Sequence, residues 1–500
     1  MNARLPFAFP FPCSLGRTVL TPLSAAAAAV AMLLLAGCAT VGPDYRGAPA
    51  VASDALQQPR FARDAGDTGD TGDATGVTSA SPAVAAWWRA LNDPALDALV
   101  DQALARSPTL QAAEARLRAA RATFDQQEAG SRPKASATAL GAGVWQGPGT
   151  DRESSLHLYS AGFDASWEVD LFGGTRRAIE SAAAQADAVR ADLADAQVSL
   201  TAEVASAYVG LRAQQRRRTL LSAQASSDEQ ALTLVRQRRG QGVATSDEVE
   251  QRVQQGEGTQ AALADVAAAI ASSLDRLALL TGQAPGALDA ALAADDPALP
   301  SAPAQVAIGD PASLLRRRPD IRAAERRLAS HTAQIGQETA KYFPKLSLFG
   351  NVGVAANAPG QLFRADKVAL AAVPYLSWNF LDFGRTAAAV RQAEAGRDEA
   401  AANYQAAVLG ALQDANTALA RFGRQRQAVR HLQAQAGSTG RTLDLARQRR
   451  DAGAASQVDL LDARRLDTDA RLKSLDSEAE LLKDFVALQK SLGLGWAPPA

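Results

Sequence analysis

The chain repeats itself at one constant offset, and this duplication constrains the fold more than any other feature of the sequence. Trp167 corresponds to Trp378, since 378 − 167 = 211, and Gly282 corresponds to Gly493 at the same distance. Matching residues begin at Leu104 and continue without a gap. A repeat of this length is far larger than one unit of a solenoid. The sequence therefore predicts two copies of one structural unit within a single chain.

Each copy predicts the same order of elements: a helix, two strands, a very long helix, a break and a return helix. Around Trp167, apolar residues alternate with Asp164, Glu168 and Asp170, which is the period of a strand with one apolar and one acidic face. A glycine then breaks the strand and a long helical pattern follows in both copies. The predicted strands cover about residues 134–147, 156–172, 345–356 and 368–383.

The two very long helices contain no proline, and at ~1.5 Å per residue a straight helix of about 65 residues is about 100 Å long. Gly242 and Gly453 mark the turns at their far ends. Two long antiparallel helices joined by a tight turn form a helical hairpin. The predicted helices are Pro94–Gln127, Thr175–Arg239, Ser246–Thr281, Thr386–Arg450 and Gln457–Leu492.

The N-terminal residues predict a bacterial lipoprotein signal. Two arginines precede an apolar run that is too short to span a bilayer comfortably, and this run ends in small residues directly before Cys38. Cys38 then becomes the first mature residue and carries lipid. Ala39 follows it, which by resemblance to bacterial lipoproteins favours the outer membrane. An ordinary secretory peptide with an incidental cysteine is the alternative.

The composition argues against several classes of function. The formal net charge is −1, from 52 basic and 53 acidic side chains, which gives no electrostatic basis for binding nucleic acid. Three histidines and two cysteines leave little for metal or thiol chemistry. The sequence contains no phosphate-binding loop, dinucleotide glycine pattern or nucleophile elbow. We therefore expect no enzyme, no metal site and no cofactor apart from the covalent lipid.

The strands predict a trimeric β-barrel. In a bilayer, strands are stable only when every backbone group is paired, as in a closed barrel, and four strands are too few to enclose a lumen. Three chains supply 3 × 4 = 12 strands, and the long helices then continue the barrel as a helical tube of periplasmic length. Phe163, Trp167 and Leu171 face lipid, and Trp167 and Trp378 suit an interfacial aromatic belt. The residues expected to line water are Asp164, Glu168, Asp170 and Asp382. A soluble four-stranded sheet packed on the helices is the alternative.

Five motifs then identify a family: CATVGPDY at 38–45, WEVDLFG at 167–173, RRRPDI at 316–321, YFPKL at 342–346 and FLDFGR at 380–385. With these motifs the chain resembles the TolC-like outer-membrane factors of tripartite efflux systems, and among them the lipidated NodT-type branch that serves RND multidrug pumps. The resemblance covers essentially all of residues 38–495. It implies an α+β homotrimer with a 12-stranded outer-membrane barrel, a periplasmic α-helical barrel, and docking on a periplasmic adaptor protein and an inner-membrane RND pump.

The resemblance also implies functional residues. The family closes the periplasmic end of its tube with side chains near the tips of the second long helix, and the corresponding candidates here are Leu412, Asp414, Asn416 and Arg421. The turns at Gly242 and Gly453 are candidates for adaptor contact. The arginines that precede each turn are explained equally well by their favourable interaction with the negative C-terminal ends of the helices.

These observations predict five segments and one leading function. The segments are a signal peptide (1–37), a lipidated N-terminal tether (38–86), a first repeat (87–282), a linker (283–310) and a second repeat (311–495). The leading function is a passive efflux channel in the Gram-negative outer membrane that exports drugs or other small molecules. The exit duct of a type I protein-secretion system and a coiled-coil envelope lipoprotein without a pore are the alternatives.

Overall fold

The computed structural model describes residues 40–63, 76–145, 155–293 and 297–497. The predicted signal peptide, Cys38 and the glycine- and aspartate-rich core of the tether at residues 66–73 lie outside the described residues. In chain order the helices are α1 (Ser53–Leu56), α2 (Pro94–Arg106), α3 (Pro108–Gly130), α4 (Gly174–Gly240), α5 (Ser246–Leu280), α6 (Pro311–Arg317), α7 (Pro319–Thr339), α8 (Arg385–Asp451) and α9 (Gln457–Ser491). The strands are β1 (Val77–Thr78), β2 (Lys134–Trp145), β3 (Ser155–Val169), β4 (Val306–Ala307), β5 (Lys345–Ala356) and β6 (Val368–Ser377).

The described residues divide into two compact units. The first unit contains Phe124–Ala182, His331–Gly396 and the segment before Arg46, and it holds the antiparallel sheet β2-β3-β5-β6. The second unit contains Arg46–Thr123, Ala183–Ser330 and Arg397–Ala500. Each unit therefore takes residues from both sequence repeats, and the predicted segment boundaries stay a prediction.

The two hairpins of the sheet are equivalent, as the duplication predicts. Lys134 pairs with Ser166 across β2 and β3, and Lys345 pairs with Ser377 across β5 and β6. Both partners are displaced by the same number of residues, since 345 − 134 = 211 and 377 − 166 = 211. The repeated sequence is therefore also a repeated register. Strands β3 and β5 join the two hairpins into one sheet.

The core of the second unit forms where the helices meet a small parallel sheet of β1 and β4. Phe485 lies at its centre, 2% exposed, with its ring 5.8 Å from that of Trp87 and 6.3 Å from that of Phe422. Edge-on and tilted aromatic pairs of this kind add to the free energy gained by burial alone.

The prediction of one helix over Pro94–Gln127 is wrong, because the helix breaks at Ser107. Ser107 has an extended backbone, with φ −59° and ψ 125°, and Pro108 begins α3. A proline disfavours helical backbone in the residue before it and lacks the N–H for an interior hydrogen bond. The second repeat breaks in the same way, between α6 and α7 at Pro319.

Residues of the predicted tether and of the predicted linker contribute to the core of the second unit. Phe61 is 4% exposed, and Val77 pairs with Val306 in β1 and β4. Leu288 and Leu292 of the predicted linker are also buried. These contacts join residues that are distant in sequence, and a short apolar group in a polar segment gives no periodic signal that predicts them.

Candidate functional site

The sheet of the first unit has one face that is apolar from its centre to the start of the long helices. Directly opposed residues of antiparallel strands share a face, and the row through the sheet centre is Ala137, Phe163, Val352 and Leu370. The neighbouring rows on this face are also apolar. Phe163 is 66% exposed and Leu370 is 82% exposed, so nothing in the described residues covers this face.

The opposite face of the sheet is polar at its centre. Asp164 accepts hydrogen bonds from Thr138 Oγ1 at 2.7 Å and from Asn351 Nδ2 at 2.6 Å, and Lys345 lies 3.1 Å from Glu168. Two of the four acidic residues predicted to line water, Asp164 and Glu168, are therefore on this face.

The placement of the other two predicted acidic residues on a strand face is wrong. Strand β3 ends at Val169 and β6 ends at Ser377, both earlier than predicted. Asp170 accepts hydrogen bonds from the backbone N–H groups of Thr175 and Arg176, and Asp382 accepts them from Gly384 and Thr386. Unpaired N–H groups at a helix start bind a carboxylate well, and this is the physical reason that both acids cap the long helices. Hydrogen bonds lower the pKa of Asp382. The bond from the Thr386 side chain is the largest cause, followed by the backbone bonds from Thr386 and Gly384. Leu171 also lies beyond the end of β3.

The two predicted interface tryptophans are held in the same way. The indole N–H of Trp167 donates to the backbone carbonyl of Ser131 at 2.9 Å, and that of Trp378 donates to the carbonyl of Tyr342 at 2.9 Å. The acceptors are also one repeat apart, since 342 − 131 = 211. Each indole is therefore fixed at the base of a hairpin with its ring partly exposed, an arrangement that suits an aromatic belt.

The segment that follows Cys38 packs on the first strand-to-helix junction. Arg177, 3% exposed, donates to the carbonyls of Val41 at 3.1 Å and Gly42 at 3.3 Å and lies 2.6 Å from Asp44. A Cβ atom on Gly42 would lie 2.3 Å from the Cα of Gly336, so the backbones approach too closely for any other residue. The second junction has Ala388 at the equivalent of Arg177, since 177 + 211 = 388, so it lacks this cation.

The predicted aperture residues lie in the middle of α8, which corrects their expected position near a tip. Leu412 is 9% exposed and belongs to the core of the second unit. Asn416 accepts a hydrogen bond from the backbone N–H of Arg63 at 3.1 Å, and Asp414 lies 3.4 Å from Arg318. At ~1.5 Å per residue, the 37 positions from Asn416 to Gly453 (453 − 416 = 37) span about 55 Å. The bounds of α8 place these residues mid-helix, and only the tertiary structure brings Asn416 to Arg63 and Asp414 to Arg318.

Arg421 lines two clefts of about 530 Å³ and 430 Å³ that also share Gln413 and Thr417. It acts electrostatically on Asp484 of α9. The pKa of Asp484 is raised to about 6, with burial as the largest cause; Glu480 also raises it and Arg421 lowers it.

We expect the Asp484→Asn variant to have a flatter dependence of stability on pH. The folded state binds the proton of Asp484 more tightly than the unfolded state, so the free energy of unfolding falls as pH rises from about 4 to about 6 and is then constant. The asparagine variant lacks this fall. Thermal unfolding of the purified protein at a series of pH values measures it. Glu480→Gln is the matched variant, with a reduced but not abolished fall. A wild-type profile that Asp484→Asn leaves unchanged contradicts the prediction.

The tips are exposed turns with helix caps on both sides. Gly242 has φ +76° and Gly453 has φ +73°, and in each turn the residue after the glycine donates its N–H back into the preceding helix. Thr245 caps α5, and Ser456 forms a capping box with Asp459 at the start of α9. Among the described residues, nothing lies within 4 Å of a Cβ placed on either glycine.

Charged groups link the two helical hairpins of the second unit, and the sequence analysis missed them. Asp228 of α4 is 7% exposed and accepts hydrogen bonds from Gln224, Thr259 and Arg465. Arg252 of α5 forms a two-point ion pair with Asp462 of α9, with Nη2 and Oδ2 2.9 Å apart. The charged partners are 237 and 210 residues apart in sequence, so only the packing of the hairpins brings them together.

Within the part of the chain that the structure describes, no helix is both long enough and apolar enough to cross a membrane. The same residues hold no cluster of three or more histidine, cysteine, aspartate or glutamate side chains that could bind a metal ion.

Comparison with known proteins gives one consistent result. The family model described as "Outer membrane efflux protein" matches residues 99–283 and 311–494. The chain is 30% identical to nodulation protein T of Rhizobium leguminosarum bv. trifolii, over 94% of this chain and 97% of that protein. It is 29% identical to the solvent efflux pump outer membrane protein SrpC of Pseudomonas putida, over 93% and 97%. The solved outer-membrane channel OprN superposes with a TM-score of 0.80 at 34% identity and covers 92% of this chain and 100% of its own.

Proposed function

This chain belongs to the outer membrane efflux protein family, and from that membership we propose that it is the passive outer-membrane channel of a tripartite RND efflux pump. The observation that supports this most directly is the exposed, largely apolar face of a four-stranded sheet that leads into two helices of 67 residues each. The pump supplies the energy and this chain supplies the path. Its cargo is drugs or other small molecules.

Conductance tests this function. The purified protein in planar bilayers is expected to give discrete single-channel currents, whereas a coiled-coil scaffold without a pore passes none. Deletion of the gene is expected to raise drug accumulation in cells and to leave secreted protein unchanged. Loss of a secreted protein with unchanged drug accumulation contradicts efflux and favours a protein-secretion duct.

Three copies of the chain form the channel, with twelve strands in one closed barrel and a helical barrel of long hairpins. The edges of the sheet support this proposal. Strands β2 and β6 are the two ends of the sheet order, so each has one edge that no described strand pairs. An open edge is not tolerated in lipid, because each unpaired backbone group costs several kcal/mol. Native mass spectrometry of the detergent-purified protein is expected to give a trimer, and a stable monomer contradicts the proposal.

Cys38 carries the lipid, and the clamp on Arg177 fixes the chain that follows it. We expect Arg177→Ala to release residues 40–45 and to lower the free energy of unfolding by about 1–3 kcal/mol, because a buried guanidinium and its hydrogen bonds are lost while Asp44 remains solvated. Hydrogen exchange of the N-terminal segment measures the release. Arg176→Ala is the matched control, since Arg176 is half-exposed and its ion pair contributes about 0–1 kcal/mol. Equal exchange in both variants contradicts the clamp.

The exposed turns at Gly242 and Gly453 are the sites at which a periplasmic adaptor protein docks. Their openness and their positions at the C-terminal ends of α4 and α8 support this placement. Site-specific photo-cross-linking at Gln241 or Ala452 in the native envelope is expected to capture the adaptor. Cross-linking at Gln127, before the first strand, is the control and is expected to capture none.

The predicted constriction role of the residues in mid-α8 stays a proposal in revised form. Arg421 and Asn416 line the 530 Å³ cleft and the side chain of Asp414 is 58% exposed, so a lumen can reach these three, whereas Leu412 packs in the core. The ion pairs that link the two hairpins at Asp228 and Arg252 are better suited to hold the tips closed. Single-channel recordings of the Arg421→Ala and Asp462→Ala variants measure which of the two positions controls the open fraction of the channel.

A further inference from the structure

The duplication predicts the register in which the outer edges of β2 and β6 pair between copies. Within the chain, the ladder between β3 and β5 joins the first repeat to the second, and it places Ala165 opposite Gly350. Each residue pair of the β5–β6 ladder has an equivalent pair in the β2–β3 ladder, with both residues shifted by 211 positions. A ladder between β6 of one copy and β2 of the next joins the second repeat to the first, so it is the one ladder that the single chain lacks.

We propose that this missing ladder repeats the β3–β5 ladder, so that Leu376 of one copy pairs with Ala139 of the next. The numbers follow from the offset: 165 + 211 = 376 and 350 − 211 = 139. The same shift pairs Trp378 with Ala137, from Trp167 and Leu348. This inference rests on the trimer of the proposed function and adds the register with which its copies join.

The distribution of apolar side chains supports this register independently. Leu376 is opposite Leu346 and shares the apolar face of the sheet, and Ala139 is on the same face, opposite Ala161. Pairing them continues one apolar face from copy to copy. A slip by one residue would place Leu376 beside Leu140, on the polar face, because successive side chains of a strand point to opposite sides.

An exposed phenyl ring next to β6 is a second feature that supports this register. In the first repeat, Phe172 stacks on Phe343 with ring centroids 4.6 Å apart, beside the β3–β5 ladder. Its equivalent is Phe383, since 172 + 211 = 383, and Phe383 is 92% exposed with φ +54°. The equivalent of Phe343 is Arg132, since 343 − 211 = 132, whose side chain is 72% exposed. A guanidinium over a phenyl ring is a favourable pair, so Arg132 of the next copy is the partner that the symmetry assigns to Phe383.

Engineered disulfides test the register directly. The only cysteines of the sequence are Cys13 and Cys38, which leaves the strands free of thiols. Leu376→Cys with Ala139→Cys is expected to give covalent trimers on non-reducing gels after boiling, since opposed Cβ atoms lie about 4.5–5.5 Å apart. Within one chain the two positions are on opposite edges of the sheet, three strand spacings or about 14 Å apart, which is too far for a disulfide.

The controls separate the register from the assembly. Leu376→Cys with Leu140→Cys tests a slip by one residue, and Leu376→Cys with Gly141→Cys tests a slip by two. Cross-linking of the variant with Leu376→Cys and Ala139→Cys alone supports the proposal. Stronger cross-linking of the variant with Leu140→Cys or of the variant with Gly141→Cys overturns it. A native trimer that no pair cross-links also overturns it while the channel proposal stands. A protein that remains monomeric by native mass spectrometry overturns both.

Discussion

Replacing Val352 by arginine is expected to abolish assembly in the outer membrane. Val352 lies in the central apolar row, between Phe163 and Leu370, and it is 44% exposed on the face proposed to meet lipid. An arginine on the lipid face of a barrel costs about 2–4 kcal/mol near the bilayer midplane. Each copy in the trimer carries the same cost. The amount of trimer in purified outer membranes, resolved on gels without boiling, measures the effect.

Ala371→Arg is the matched control for this prediction. Ala371 is opposite Asn351, on the polar face of the same sheet, and its side chain is exposed. An arginine there is in water if the lumen lies on this side, so normal trimer levels and an altered ion selectivity are expected. If Val352→Arg assembles as well as Ala371→Arg, the apolar face does not meet lipid. The remaining explanation of that face is then a soluble sheet covered by another protein.

Removing Asp228 is expected to have the second largest effect, through the link between the hairpins. The carboxylate of Asp228 lies 2.6 Å from Gln224 Nε2, 2.7 Å from Thr259 Oγ1 and 2.9 Å from Arg465 Nη1. Asp228→Ala leaves these groups without their shared acceptor. Removing one partner of a buried charged pair costs about 3–5 kcal/mol, and the partial exposure of Arg465 places this case at about 3 kcal/mol. At about 1.4 kcal/mol per tenfold, the local opening equilibrium rises about a hundredfold.

Hydrogen exchange at the start of α9 and single-channel recordings measure this effect. We expect faster exchange there and a larger open fraction in Asp228→Ala. The double variant with Arg465→Ala is expected to cost less than the sum of the two single changes, because the two groups interact. Asp444→Ala is the control on α8, since the pair of Asp444 with Arg447 is largely exposed and contributes about 0–1 kcal/mol. Unchanged exchange in Asp228→Ala contradicts the proposed link.

Some of the site was predictable because the signal lies in neighbouring residues. The alternation around Trp167 predicted a strand with an apolar face, and the absence of proline predicted two unbroken helices of about 65 residues, which have 67 residues each in the structure. The tip glycines were predictable for the same reason, since a left-handed residue at a helix end is usually glycine. Strand ends were misplaced where a side chain had two possible uses. Asp170 continues the strand alternation in the sequence, but the start of α4 binds its carboxylate.

By itself the sequence determined the duplication, the types of the main elements and the two faces of each strand, because all three depend on local periodicity or on direct repetition. Only the tertiary structure decided that Arg177 holds residues 41–44, that Arg63 reaches Asn416, and that Asp228 binds Arg465. These partners are 136, 353 and 237 residues apart in sequence. Contacts at such separations are set by how whole helices and strands pack, and the local pattern of residues carries no record of that packing.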